Sequence, residues 1–82
     1  MTETVSEFRQ RVAKLRSSYA WRDGQAHYNA ARCGFGGSQD QDAWLHDEVD
    51  NNGSERDPFH NDANIPAFID AAVAADVLRA DE

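Results

Sequence analysis

The side chains of this 82-residue chain with the most chemical potential are His27, His46, His60 and the single cysteine, Cys33. As a zinc set they fall short. There is no Cys-x-x-Cys pair, and no two histidines share the three-to-five spacing that puts both ligands on one helical face. A cysteine–histidine nucleophile pair fails in the same way, because a lone thiol between a helix and a run of glycines reads as a small buried group. No serine sits in a nucleophile elbow, and no separated pair of carboxylates falls on one face. The expectation is a protein that is not an enzyme and carries no metal or cofactor.

The stretch "EVDNNGSERDPF" (48–59) comes nearer to a recognisable site. A calcium loop places oxygen ligands at positions 1, 3, 5 and 7, glycine at 6 and a bidentate glutamate at 12. With Gly53 at position 6, Glu48, Asp50, Asn52 and Ser54 fill the oxygen positions. Position 9 is then Arg56 and position 12 is Phe59, so a cation stands in the approach and the bidentate ligand is missing. The segment reads as a helix stop rich in turn-formers, with divalent-metal binding as a weak alternative.

Charge offers a stronger lead. The net charge is −7, unevenly distributed. Residues 1–33 hold six cations against three acids, a net of +3, whereas residues 34–82 hold two cations against twelve acids, a net of −10. Arg9, Arg11, Lys14, Arg16, Arg22 and Arg32 could touch phosphates, but a pI near 4.7 is opposite to the usual nucleic-acid footprint. Two accounts of the split stay open. A basic helix packs beside the chain's own acids, or an acidic face meets a basic partner in the way nucleic acid would.

These side chains are positioned by helices. Val5, Phe8, Val12, Leu15 and Tyr19 make one apolar stripe over residues 4–19, and Thr4 with Glu7 has capping-box spacing. A second helix is expected over 22–33, with Asp23 at or near its N-cap and Gly34 in the left-handed position that ends it. Gly24, inside that helix, asks for a reason: a close crossing, or a place in the first turn where its cost is reduced. Ser38 and Gln41 repeat the capping-box spacing ahead of a third helix over 40–50, where Trp44, Leu45 and Val49 form a narrow apolar edge, and Asn51-Asn52-Gly53 stops it. A fourth runs over 65–79, with Asn64 as cap, Pro66 in its first turn, and Ile65, Phe68, Ile69, Ala72, Val73 and Val77 on its buried face. Nothing alternates with period two. The expected fold is all-α, a compact bundle of three to four short helices in one domain spanning 1–82.

Trp21, Gln25, Tyr28 and Arg32 lie at helical spacing, which makes one edge of the second helix aromatic and amide-rich. Structurally, Trp21 and Tyr28 would close the core while Gln25 and Asn29 hydrogen-bond the 57–62 connector. Functionally, the same edge would be a recognition surface, because Trp, Tyr and Arg dominate interface energetics. The residues expected to bind a partner are Trp21, Arg22, Gln25 and Tyr28, together with Asp40, Asp42, Asp47, Glu48 and Asp50 on the third helix.

"WRDGQAHYNAA", followed by "DPFHND" and "IPAFID", resembles a pattern found in small proteins of bacteriophages and prophages. The shared shape is Arg-x-Gly-Gln-Ala-x-aromatic-Asn, then Asp-Pro-Phe, then an apolar final helix containing Phe, and it covers residues 21–32 and 57–70. The chain departs from it at Ala31, where a larger aliphatic is usual, and in its glycine-rich 34–37 stretch. The resemblance implies a phage protein in the host cytoplasm. The lone cysteine, the lack of an 18-residue apolar run and an N-terminus unlike a signal peptide lead to the same expectation of a cytoplasmic protein with no membrane contact.

The functional expectation is a phage-type protein-binding module that modulates or inhibits a host or phage protein with a basic surface, without binding nucleic acid itself. The alternative is a structural or assembly protein that forms a homo-oligomer through the stripe of its first helix.

Overall fold

In a computed structural model, which describes residues 2–51 and 57–81, Thr4 starts the first helix, α1 (Val5–Tyr19). The Thr4 hydroxyl accepts from the Glu7 N–H at 3.1 Å, and the Glu7 carboxylate accepts from the Thr4 N–H at 3.0 Å. Two orphan donors are thereby satisfied in the expected capping box. Val5, Phe8 and Val12 are buried and Leu15 packs against the core from its edge. Tyr19 departs from the stripe, since it is 53 % exposed. Because most of the stripe is buried within the chain, self-association through α1 would have to use other residues.

Helix α1 ends at Ala20, which takes the left-handed conformation at φ 55°. An L-residue with a Cβ is strained there and glycine is not. Ala20→Gly is therefore expected to raise unfolding stability by about 0.5–1 kcal/mol, read as a higher urea midpoint at unchanged slope. An unchanged or lower midpoint would contradict the strain.

The second helix, α2, spans Asp23–Ala30, with Arg22 at the N-cap position and Asp23 next to it in the first turn. It stops three residues short of the expected end. Arg32 is extended, Cys33–Phe35 form a 3-10 turn, and Gly36 rather than Gly34 is the left-handed residue, at φ 98°. The cause lies in α1. The Arg11 guanidinium donates to the carbonyls of Ala30 and Phe35, capping the end of α2 and the turn after it with one side chain. A Cβ on Gly36 would come within 3.1 Å of Arg11 Cδ, whereas one on Gly34 would meet nothing within 4 Å. Cys33, expected to be buried, is exposed on this turn.

Ser38 caps α3 (Gln39–Trp44) through a second capping box with Gln41. The expected single helix then changes character, because Leu45–Asp50 wind as a π-helical turn. Trp44, Leu45 and Val49 are buried, as the apolar edge implied. The expected stop at Asn52-Gly53 lies outside the described residues.

After a 3-10 turn at Asp62–Asn64, α4 runs from Ile65 to Ala74. Asn61 rather than Asn64 provides the side-chain cap here, accepting from the Ala63 N–H at 3.0 Å, while the Asn64 amide donates to the Asp57 carbonyl. The helix ends well before residue 79. Asp76 is left-handed at φ 62°, and the Val77 and Leu78 N–H groups both fold back onto the Ala72 carbonyl. Adjacent Val77 and Leu78 are both buried, which one helical stripe would not allow. Arg79 then pairs with the start of α1: its N–H donates to Glu3 O and its carbonyl accepts from Val5 N–H, both at 2.9 Å. The Asp81 carboxylate accepts from the Ser6 N–H at 2.9 Å and from the Ser6 hydroxyl.

The result is a small all-α bundle of four helices, with no strand among the described residues. Phe8, Leu45 and Phe68 form its centre, with the Trp44 ring edge-on to Phe68 at 5.2 Å. Beside this apolar centre lies a polar hub. Arg11 grips both oxygens of Glu3 at 2.9 and 3.1 Å, and the Gln41 amide, 2 % exposed, donates to Glu3 and to the Val77 carbonyl. Burial would raise the Glu3 pKa, but its hydrogen bonds with Arg11 and Gln41 hold it below the ordinary value. No helix among the described residues is long and apolar enough to cross a membrane.

Candidate functional site

The nine residues expected to bind a partner fall into three places. Trp21 is half-buried, stacked on Tyr19 with ring centroids 4.5 Å apart and edge-on to Phe35 at 5.1 Å. It belongs to an aromatic cluster beyond the end of α1 that includes none of the expected acids. Arg22 is an internal strap: its Nε donates to Asp62 Oδ1 at 2.8 Å and its Nη2 to the Phe59 carbonyl.

The 57–62 connector is thus fastened differently from the expectation. Asp62 Oδ1 also accepts from the Gly24 N–H at 2.9 Å, near the start of α2. The Arg22 hydrogen bond holds the Asp62 carboxyl below its usual range. Gln25 and Asn29 were expected to make this link, but neither side-chain amide makes a hydrogen bond among the described residues. A carboxylate at the positive end of a helix dipole, joined by a guanidinium, binds more strongly than neutral amides would.

Tyr28 and the acids of α3 do come together. The Tyr28 hydroxyl donates to Asp50 Oδ1 at 2.7 Å, so burial first, and then that carboxylate, raise the phenol pKa well above its ordinary value. His46 sits between two carboxylates, with Nε2 3.0 Å from Asp42 and Nδ1 3.1 Å from Asp50. Asp42 in turn accepts from the Cys33 N–H at 2.9 Å. Its hydrogen bond with the Cys33 thiol raises the thiol pKa, which works against an activated nucleophile. Asp40, Asp47 and Glu48 are exposed along the same α3 and π-helical stretch.

Beside Tyr28 and Asp50 opens a cleft of about 280 Å³. Phe59 and Asp57 also line it, with the Phe59 ring edge-on to Tyr28 at 5.2 Å. Asp57 works locally as a turn-former, accepting from the Phe59 N–H at 2.9 Å and pairing with His60 Nδ1 at 2.7 Å. Asn29 and Arg32 complete the lining. The Asp-Pro-Phe motif reads as a turn with an inward phenylalanine. What only the fold shows is that this turn lies against Tyr28 and makes a wall with it.

Among the described residues no group of three or more His, Cys, Asp or Glu side chains is placed to hold a metal ion. Asn52, Ser54 and Arg56 of the calcium-like stretch lie outside the described residues. The described residues bring together a run of carboxylates and an aromatic cleft. No protein family, curated protein or solved structure matches the chain.

Proposed function

We propose that this chain is a phage-type protein-binding module that acts by occupancy, covering a basic surface on a host or phage protein in the host cytoplasm. The observation that carries the reading is the α3 and π-helical stretch. Between Asp40 and Asp50 it holds five carboxylates, and four of the five residues are exposed. Elsewhere three of the cations are engaged locally: Arg11 with Glu3, Arg16 with Asp23, and Arg22 with Asp62. Only the last of these pairs joins the basic first third to the acidic remainder, and the exposure of Asp40, Asp47, Glu48 and Asp50 supports a negative field at the surface. Such a field speeds association and selects basic partners, and salt screens it beyond about 8–10 Å. A partner surface that normally holds nucleic acid would fit it, and covering that surface would inhibit its owner.

Captured host proteins test this reading if two controls are met. Binding must weaken steeply between about 50 and 200 mM salt, and an Asp40→Asn/Asp47→Asn/Glu48→Gln variant with an unchanged circular dichroism spectrum must lose the same protein. Capture insensitive to both would sink the proposal.

A further inference from the structure

We propose that the Tyr28–Phe59 cleft is the seat of an arginine side chain presented by the partner, an inference that rests on the acidic-surface reading above. The cleft places carboxylates on two walls, Asp50 from the π-helical turn and Asp57 from the connector. Between them the Tyr28 and Phe59 rings meet edge to face, offering an apolar bed for a side-chain stem and ring faces for a cation. At about 280 Å³ the space lies just below the usual range of small-molecule pockets, roughly 300–1,000 Å³, which suits one side chain better than a cofactor.

Asn29 adds a neutral polar group to the lining. It is 7 % exposed, it lines the cleft, and its side-chain amide makes no hydrogen bond among the described residues. No buried side-chain nitrogen or oxygen among the described residues lacks a partner, so the Asn29 amide atoms reach solvent and are open to a guest. Asp50 already bonds Tyr28 and His46, and Asp57 bonds the Phe59 N–H and His60, but a carboxylate oxygen can take a second donor. A planar guanidinium with five donors suits such acceptors better than a compact ammonium. Arg32 would repel a free cation, but it can donate to backbone carbonyls, so the guest is an arginine within a polypeptide. His60, whose side chain is 80 % exposed, is held to Asp57 by its Nδ1 contact and can swing out to release that oxygen.

Chemical-shift titration with the capped tripeptide acetyl-Gly-Arg-Gly-amide, against acetyl-Gly-Ala-Gly-amide, provides the test. The arginine peptide should produce saturable shifts at Tyr28, Asn29, Asp50 and Asp57 that the alanine peptide does not. Affinity should fall roughly tenfold in Asp57→Asn, which keeps an acceptor for the Phe59 N–H, and in Asp50→Asn, but stay level in Asp40→Asn. Equal shifts from both peptides, or parental affinity in both cleft variants, would overturn the inference. Hexa-arginine separates the two readings. If it binds and loses affinity only in Asp40→Asn/Asp47→Asn, the acidic surface stands and the cleft falls. If the parent protein does not bind it at all, both fall.

Discussion

Gly24→Ala is expected to destabilise the protein by about 2 kcal/mol, although the change improves helix propensity. Two effects of opposite sign compete. Alanine in place of glycine within a helix favours folding by up to about 1 kcal/mol, and less in the first turn, where Gly24 sits. Against this, a Cβ at position 24 would lie 1.9 Å from the Pro58 carbonyl oxygen and 2.5 Å from Asp62 Oδ1. Pro58 is fully buried and its oxygen is backbone, so it cannot rotate away. The connector must move, which strains or breaks the Asp62 bonds to Gly24 and Arg22. Overpacking of this kind typically costs 1–3 kcal/mol. Urea unfolding decides the sign, and a variant as stable as the parent would show that the approach of α2 to the connector is looser than described. Asp57 and Phe59 ride on the same connector, so arginine-peptide binding should weaken in this variant as well.

The second large effect belongs to Arg11→Ala, which should cost about 3 kcal/mol. The guanidinium serves five acceptor oxygens: both of Glu3, the carbonyls of Ala30 and Phe35, and Gln41 Oε1 at 3.3 Å. Removing it leaves a part-buried carboxylate and two carbonyls without that partner. The Arg11 and Glu3 side chains are 20 % and 23 % exposed, so water repairs some of the damage and the cost stays below that of a fully buried pair. A domain of this size has roughly 4–12 kcal/mol of stability in total, so the loss should lower the melting temperature by many degrees. Adding Glu3→Gln to Arg11→Ala removes the stranded charge and should recover part of the loss. If the double variant is no more stable than Arg11→Ala alone, the hub does not depend on charge pairing.

Much of the architecture was legible in local sequence. Thr4 with Glu7, and Ser38 with Gln41, mark helix starts because capping boxes are made within four consecutive residues. The stripe Val5, Phe8, Val12 identifies a buried face because a helix repeats every 3.6 residues whatever lies opposite. Helix ends were read less well. Gly34 looked like the natural terminator of α2, yet the place was taken by Gly36, because a side chain from α1 caps the carbonyls there. The buried face assigned to α4 included Val77, which is buried, but in a chain reversal where Leu78 also turns inward.

The candidate site divides along the same line. Composition and order alone determined that this is an acidic, all-helical chain whose carboxylates crowd a short stretch after residue 39, because charge and helical period are properties of neighbours in sequence. Tertiary structure alone decided which side chains meet: that Arg22 straps the connector, that Tyr28 reaches Asp50, and that Asp57 and Phe59 line a cleft with them. The physical reason is distance along the chain. Hydrogen bonds and ring contacts act over a few ångströms, and Tyr28, Asp50 and Phe59 come that close only after a shared core has drawn their separate elements together.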